Sequence, residues 1–452
     1  MNQTMRLAQR ICGANYANMP SSAQLACKHA LLDYIGVTIA GMEEPLARIL
    51  RADAAEQGGH PQACVFATNE RVATQQAALI NGAAGHAHDY DDVQLAMSGH
   101  PTVPVAPVVF ALAEQHKLSG AQLIAAFSAG VDAECIVSRY AGTSHYQQGW
   151  HATGTMGCFG AAAAAASMLG LDDIQTAKAL GIAGTQAAGL KSQFGTMCKP
   201  FHAGHAAATG LQAANLAAKG FSSRTDILET QQGFLDTQSS STDAAKFEAA
   251  MQQPAYAQDI CFKYHAACYM THSAIEATRE LCAQNAFDPN KIKHVEVAVD
   301  EGHLRVCNIV QPTSGLEAKF SLRFTVAMAM AGVDTSSIDI FTDELTQDPQ
   351  LIAFRDRVSV VTHPSPDPAT IVTITTDDGQ HFQQATNVGI PMRDLDAQWQ
   401  KLEHKFRSLV TPRLGLARTE KIIDLCRHLE SQNNLIDLFN VLTIYKDAPA
   451  HE

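Results

Sequence analysis

The sequence predicts a mainly α fold: a large all-helical domain followed by a smaller α+β lid domain with an antiparallel sheet. Three observations carry that reading. Apolar residues recur at helical spacing, one element after another, across residues 1–262. From 263 to 395, runs of alternating β-branched residues appear among the helices. Aromatic residues make up only 6% of the chain while alanine is abundant, and side chains that small suit closely packed helices better than a β-sandwich. Residues 396–452 return to helical periodicity and are expected to rejoin the first domain. A length of 452 residues exceeds one ordinary core, so two domains are the natural expectation.

The elements follow in order. Ser21 or Ser22, after Pro20, can cap a helix in which Leu25, Leu32 and Ile35 share a face and which Gly41 stops. A second helix reads through 74–92, with Ala77, Ile80 and Ala84 on one side. A third begins at Pro104, and its prolines fall at the start, where a missing N–H costs little. Further helices read through 121–142, 155–171, 172–189 and 202–221. The fifth of these seven is unusual: Gly154, Gly157 and Gly160 precede six alanines. Each internal glycine costs about 1 kcal/mol relative to alanine, so another backbone or a ligand must come very close to that face. In the second domain, 292–300, 357–363 and 369–376 read as strands. Asp378-Gly379 is a hairpin signal leading into 381–386, and helices are mixed in at 271–286 and 321–332. Two more helices, 396–410 and 419–432, follow Pro391.

Composition excludes several functions. A net charge of -13 repels nucleic acid and anionic membranes, and no run of 18 apolar residues is free of charge, so neither is an expected partner. The same charge repels an acidic substrate at long range, so any anion site must be built locally from Lys, Arg and His. The 11 cysteines are odd in number and form no CxxC pair, which argues for reduced thiols over disulfides or a zinc ribbon. The N-terminus lacks an apolar signal core, and a cytoplasmic location is expected. There is no GxGxxG after a strand, no Walker A, no GxSxG and no HExxH, which counts against dinucleotide enzymes, NTPases, α/β hydrolases and zincins.

Four polar clusters remain. The first is GHAHDYDD with His86, His88, Asp89, Asp91 and Asp92, followed by His100. On a continued helix, His86 would share a face with Asp89, and His88 with Asp91 and Asp92, and a carboxylate beside an imidazole fixes its tautomer and raises its basicity. Asp91 and Asp92 can equally be a solvated acidic helix end. The second cluster holds Tyr146 and His151, the latter just before the glycine-rich helix start, where backbone N–H groups favour anions. The third holds Lys199, His202 and His205 amid alanines, a setting unlike a solvated face. The fourth, at the domain junction, holds Lys263, Tyr264, His265, Cys268 and His272, and Cys268 alone reads as a small buried hydrophobe. Together these supply proton carriers and anion partners, the combination needed to remove a proton beside a carboxylate. Two other readings stay open on these residues: a small-acid-binding or scaffold protein without turnover, and a metal-dependent hydrolase using His86, Asp89 and His100.

The blocks ALLDYIGVTIAG, GHAHDYDD with GHPTVPVAPVVFALAE, WHATGTMGCFGAAAAAASMLGL, FGTMCKPFHAGHAAATG, FKYHAACYMTHSAIEA and EAKFSLRF resemble, in order and over nearly the whole chain, those of the MmgE/PrpD family. That family includes 2-methylcitrate dehydratase, cis-aconitate decarboxylase and iminodisuccinate epimerase. The resemblance implies a helical domain with an α+β lid, a homodimer, no metal or organic cofactor, and a small di- or tricarboxylate substrate undergoing dehydration, decarboxylation or epimerisation. It carries the decarboxylase branch's site onto Asp89, His100, His151, Lys199 and Lys263. Val93, Cys268 and Phe324 stand where that branch has threonine, histidine and tyrosine. Thr102-Val103-Pro104 departs from the dehydratase pattern. The expected catalytic set is Asp89, His100, His151, Lys199 and Tyr146, and the expected substrate-binding set is His86, Lys263, His202 and His272.

Overall fold

Small residues set how the helices meet. The computed structural model describes residues 2–285, 288–363 and 369–444; Ala286, the last residue of one predicted helix, and 445–452 of the predicted tail lie outside the described residues. The chain forms two compact units, Met1–Phe262 with Met392–Glu452, and Lys263–Pro391.

In the first unit the helices that matter for the site are α1 (Ser21–Gly41), α2 (Thr74–Gly85), α3 (Thr102–His116), α4 (Gly120–Ala141), α5 (Ala152–Met168), α6 (Asp173–Gly184) and α7 (Cys198–Ala218). Local chemistry starts several of them. Ser119 with Gln122 and Asp172 with Gln175 form capping boxes at α4 and α6. At α1, by contrast, Ser21 is already helical and Pro20 precedes it without a side-chain cap. α3 begins at Thr102, so Pro107 lies inside the helix rather than at its start. The ring packs where a Cβ is missing: a Cβ on Gly82 would stand 3.3 Å from Pro107 Cγ.

α5 is the central helix, buried along almost its whole length and packed on α4, α7, α3 and α6. Its glycines meet backbone and neighbouring side chains. A Cβ on Gly160 would come 2.8 Å from Glu134 Oε2 and 3.1 Å from the Gly130 carbonyl of α4, so the two helices touch at a pair of glycines. α4 is long and apolar enough to cross a bilayer, but 89% of its most apolar stretch is buried inside this fold. The helix Leu395–Leu414 returns to pack on α1.

The second unit carries α8 (Tyr269–Asn285), β1 (Ile292–Val299), α9 (Leu322–Met330), β2 (Val358–Thr362), β3 (Thr370–Thr376) and β4 (His381–Thr386). The sheet order is β2-β1-β3-β4. Its β1–β3 and β3–β4 junctions are antiparallel, while β1 and β2 run parallel because helices connect them. Val295, Val297 and Val299 are fully buried and pack with Val372 and Ile374 under α8 and α9. All eleven cysteines of the chain are free thiols.

Candidate active site

The site grows from a turn. α2 ends at Gly85 with His86 as its C-cap, and residues 86–92 leave the helix rather than extending it to 92. Within this turn Asp89 adopts a left-handed backbone, φ 52°. Aspartate tolerates that region better than most side chains, and such outliers gather at functional sites. The turn re-pairs the residues. His86 and Asp89 do not act as neighbours on one helix face. His86 Nδ1 instead lies 2.8 and 3.0 Å from the Asp91 carboxylate oxygens. Asp89 Oδ1 lies 2.8 Å from Lys199 Nζ and 3.5 Å from His100 Nε2. Asp91 and Asp92 are not a solvated helix end, since each is only 1% exposed.

The acceptors around the imidazoles settle their tautomers. His100 Nδ1 faces the Asp92 carbonyl at 2.9 Å and Asp91 Oδ2 at 3.2 Å. Both are acceptors, so Nδ1 carries a hydrogen, and Nε2 faces a third acceptor, the Asp89 carboxylate. His86 likewise carries hydrogen on Nδ1, and its buried Nε2 has no hydrogen-bond partner among the described residues. Burial, partly offset by Asp91, pushes the His86 imidazole down to about 4, so it is neutral. Burial pushes the Asp91 carboxyl up, but His100 and His86 outweigh it and hold the group well below the usual carboxylate range. Asp92 is the opposite case: burial, then the nearby Asp33, holds it well above that range, although Thr102 Oγ1 donates to it at 2.5 Å.

His151 is the N-cap residue of α5 and only 2% exposed. Burial, then His86, His100, His202 and Lys199, pushes it down to about 2. Its ring stacks at 6.0 Å on His86 and meets Phe194 edge-on at 4.9 Å. Its Nδ1 lies 3.0 Å from His202 Nδ1. The His100 N–H donates to Thr153 Oγ1 at 3.0 Å, which ties the start of α5 to the turn. Lys199 stands on the first turn of α7 and His202 at the start of the second. A cation at the positive end of a helix dipole is disfavoured unless an anion answers it, and here Asp89 does. Tyr146 lies close enough that burial, then the Asp89 charge, raises its phenol, while Lys191 Nζ sits 3.7 Å over its ring.

The structure therefore brings His86, Asp89, His100, His151, Lys199, His202 and Tyr146 together. Lys263 and His272 belong to the second unit, where they are 3% and 1% exposed. His272 Nε2 donates to the Ala267 carbonyl at 3.1 Å and its ring packs on His265 and Tyr269. Cys268 packs against the core that contains Cys307. His205 is exposed and stacks on Phe201.

Two features beneath the turn escaped the sequence reading. Lys405 is 1% exposed; its Nζ lies 2.6 Å from Asp33 Oδ1 and donates to the Tyr90 carbonyl at 2.8 Å. Glu134 is fully buried with no hydrogen-bond partner for either oxygen among the described residues, and burial, then Asp92, holds it well above the usual range, hence protonated. His86, Asp89, Asp91 and His100 can each offer one donor atom within 4.8 Å of the others, a set that suits a divalent cation. Several of those donors are committed, with the Lys199 ammonium on Asp89 and both Nδ1 hydrogens on Asp91.

A helical domain that buries His86, His151, Asp91 and Asp92 beside His100 and Lys199, in a chain with these family matches, defines an enzyme, and its class is lyase. The chain belongs to the MmgE/PrpD family: residues 5–246 match the MmgE/PrpD N-terminal domain and residues 265–429 the C-terminal domain. It is similar to the cis-aconitate decarboxylase of Homo sapiens, with 26% identity over 448 residues, covering 94% of this chain and 92% of that protein. It is also similar to that of Mus musculus, at 27% over 382 residues (80% and 76%). The cis-aconitate decarboxylase of Aspergillus terreus is 26% identical over 463 residues (96% and 94%).

Proposed function

We propose that this chain is a cofactor-independent lyase that moves a proton on the carbon next to a carboxylate of a small tricarboxylic acid. The observation that carries the reading is the Lys199–Asp89–His100 chain, built on a left-handed residue at the mouth of a buried imidazole cluster. Lys199 at the start of α7 would hold a substrate carboxylate and spread the charge that develops when the proton leaves. His100, fixed by Asp91 so that Nε2 faces the site, and neutral His151 are the proton carriers. The similarity to cis-aconitate decarboxylases makes a tricarboxylate the first substrate to test. Dehydration and epimerisation are the other outcomes the same proton transfer allows.

The test is proton NMR of the purified chain in D2O with cis-aconitate, citrate, 2-methylcitrate, malate and iminodisuccinate. Deuterium entering beside a carboxylate, or a new product, is expected for at least one acid. Lys199→Ala should slow that turnover at least ~100-fold while leaving the circular-dichroism spectrum unchanged. The absence of both exchange and product with every one of the acids would overturn the proposal. The convergence of His86, Asp89, Asp91 and His100 supports a second reading, a divalent-cation-dependent reaction. One metal ion per chain after purification without added metal would favour it.

A further inference from the structure

We propose that His202 is the outer half of a two-imidazole proton relay that connects the active site, through His151, to solvent. This inference rests on the proton-transfer reading above and assigns His202 a role other than holding substrate. The two Nδ1 atoms lie 3.0 Å apart, with ring centroids at 5.3 Å and planes tilted by 55°. One hydrogen must sit between two such nitrogens, because two lone pairs or two N–H groups would repel. The pair is therefore a single N–H···N bond, able to invert. Burial lowers both rings from the ordinary histidine value, which keeps the pair free of a resting positive charge.

The surrounding backbone is shaped for this contact. The His151 N–H donates to the Gly189 carbonyl at 3.0 Å, and Trp150 and Leu190 form the adjoining bridge. Gly189 has φ 133°. A Cβ there would stand 3.3 Å from His202 Cγ, 3.4 Å from His202 Nδ1 and 3.6 Å from His151 Cβ. A glycine thus lets the loop close over both rings. His151 is sealed from water, whereas His202 is partly exposed and His205, one helical turn further along α7, is exposed. The path leads outward.

The substrate C–H bond breaks, its electron pair stays on carbon as the enolate, and the proton joins His151 Nε2. The Nδ1 hydrogen of His151 passes to His202 Nδ1, and the Nε2 hydrogen of His202 passes to water. Each ring ends neutral with its hydrogen on the other nitrogen, and the reverse sequence delivers a proton to carbon. The titratable and charged groups facing the pair are His86, His100 and Lys199, with His205 on the solvent side.

The experiment uses cis-aconitate in D2O with the native chain, His202→Ala and His202→Asn. The relay predicts kcat lower by about 10–100-fold with KM within about twofold, slower deuterium exchange into recovered substrate, and recovery of kcat on adding imidazole to His202→Ala. A raised KM with unchanged kcat would make His202 a substrate ligand and overturn the relay, as would a loss that imidazole does not repair. Should neither variant fold, a proton inventory of the native chain in mixed H2O and D2O decides. A curved plot reports two protons in motion, and a linear or flat one overturns the relay. If the native chain neither exchanges nor converts the acid, the proton-transfer reading itself fails. If it does, and His202→Ala exchanges equally fast, only the relay fails.

Discussion

Asp89 combines a strained backbone with a carboxylate shared between Lys199 and His100. Asparagine tolerates the left-handed region as well as aspartate does, so Asp89→Asn separates charge from conformation. Its melting temperature should stay within about 1–2 °C of the native chain, since an ion pair whose carboxylate is half-exposed contributes little. Turnover should fall at least ~100-fold. Wild-type-like turnover would remove Asp89 from the chemistry. The residues of this cluster were legible in the sequence as a dense run of His and Asp, but their pairing was not. Read as a helix through 92, the run joins His86 to Asp89, and the structure joins His86 to Asp91. Gly85, the last helical residue, was the available stop signal, and the glycines and alanines around it gave no reason to weigh it above the others. Phe194 gave no signal at all, because its role is to wall His151 and Lys199 rather than to react.

At the scale of elements, periodicity identified α1 to α7 and β1 to β3 through their regularly repeating apolar residues, and the Asp378-Gly379 turn identified β4. What periodicity cannot report is which buried position carries a polar group at no apparent benefit. Glu134 on α4, wedged beside Gly160 of α5, is such a position. Its folded-state pKa is raised above the unfolded value, so the folded chain retains a proton that the unfolded chain has released above about pH 4.5. Stability is therefore lost progressively as pH rises toward the folded value, by about 1.4 kcal/mol for each pH unit. Glu134→Gln cannot ionise. Its urea midpoint relative to the native chain should increase from pH 5 to pH 8. A constant difference across that range would show that Glu134 is ionised in the fold.

At the scale of the whole first unit, the returning helix Leu395–Leu414 closes what the N-terminal helices begin. Lys405 meets Asp33 on α1 and the carbonyl of Tyr90, 315 residues away in sequence, and its ammonium lies 4.0 Å over the Tyr90 ring. On an amphipathic helix a lysine reads as solvated, which is why this contact was illegible. Lys405→Ala strands a buried Asp33 carboxylate and should cost about 3–5 kcal/mol in urea unfolding. Removing Asp33 as well should recover part of that loss, as a double-mutant cycle would show. A loss below about 1 kcal/mol would mean that the pair is not buried in solution. The clamp also has a consequence for biosynthesis. A ribosome making roughly 5–20 residues per second delivers Lys405 some 20–70 s after Asp33 and well after Asp89. Until then α1 carries a carboxylate awaiting its cation, and the turn holding Asp89 lacks the ammonium that anchors its neighbour. The nascent chain can assemble many of its helices early, but the turn that carries Asp89 is not anchored until the helix Leu395–Leu414 has left the tunnel.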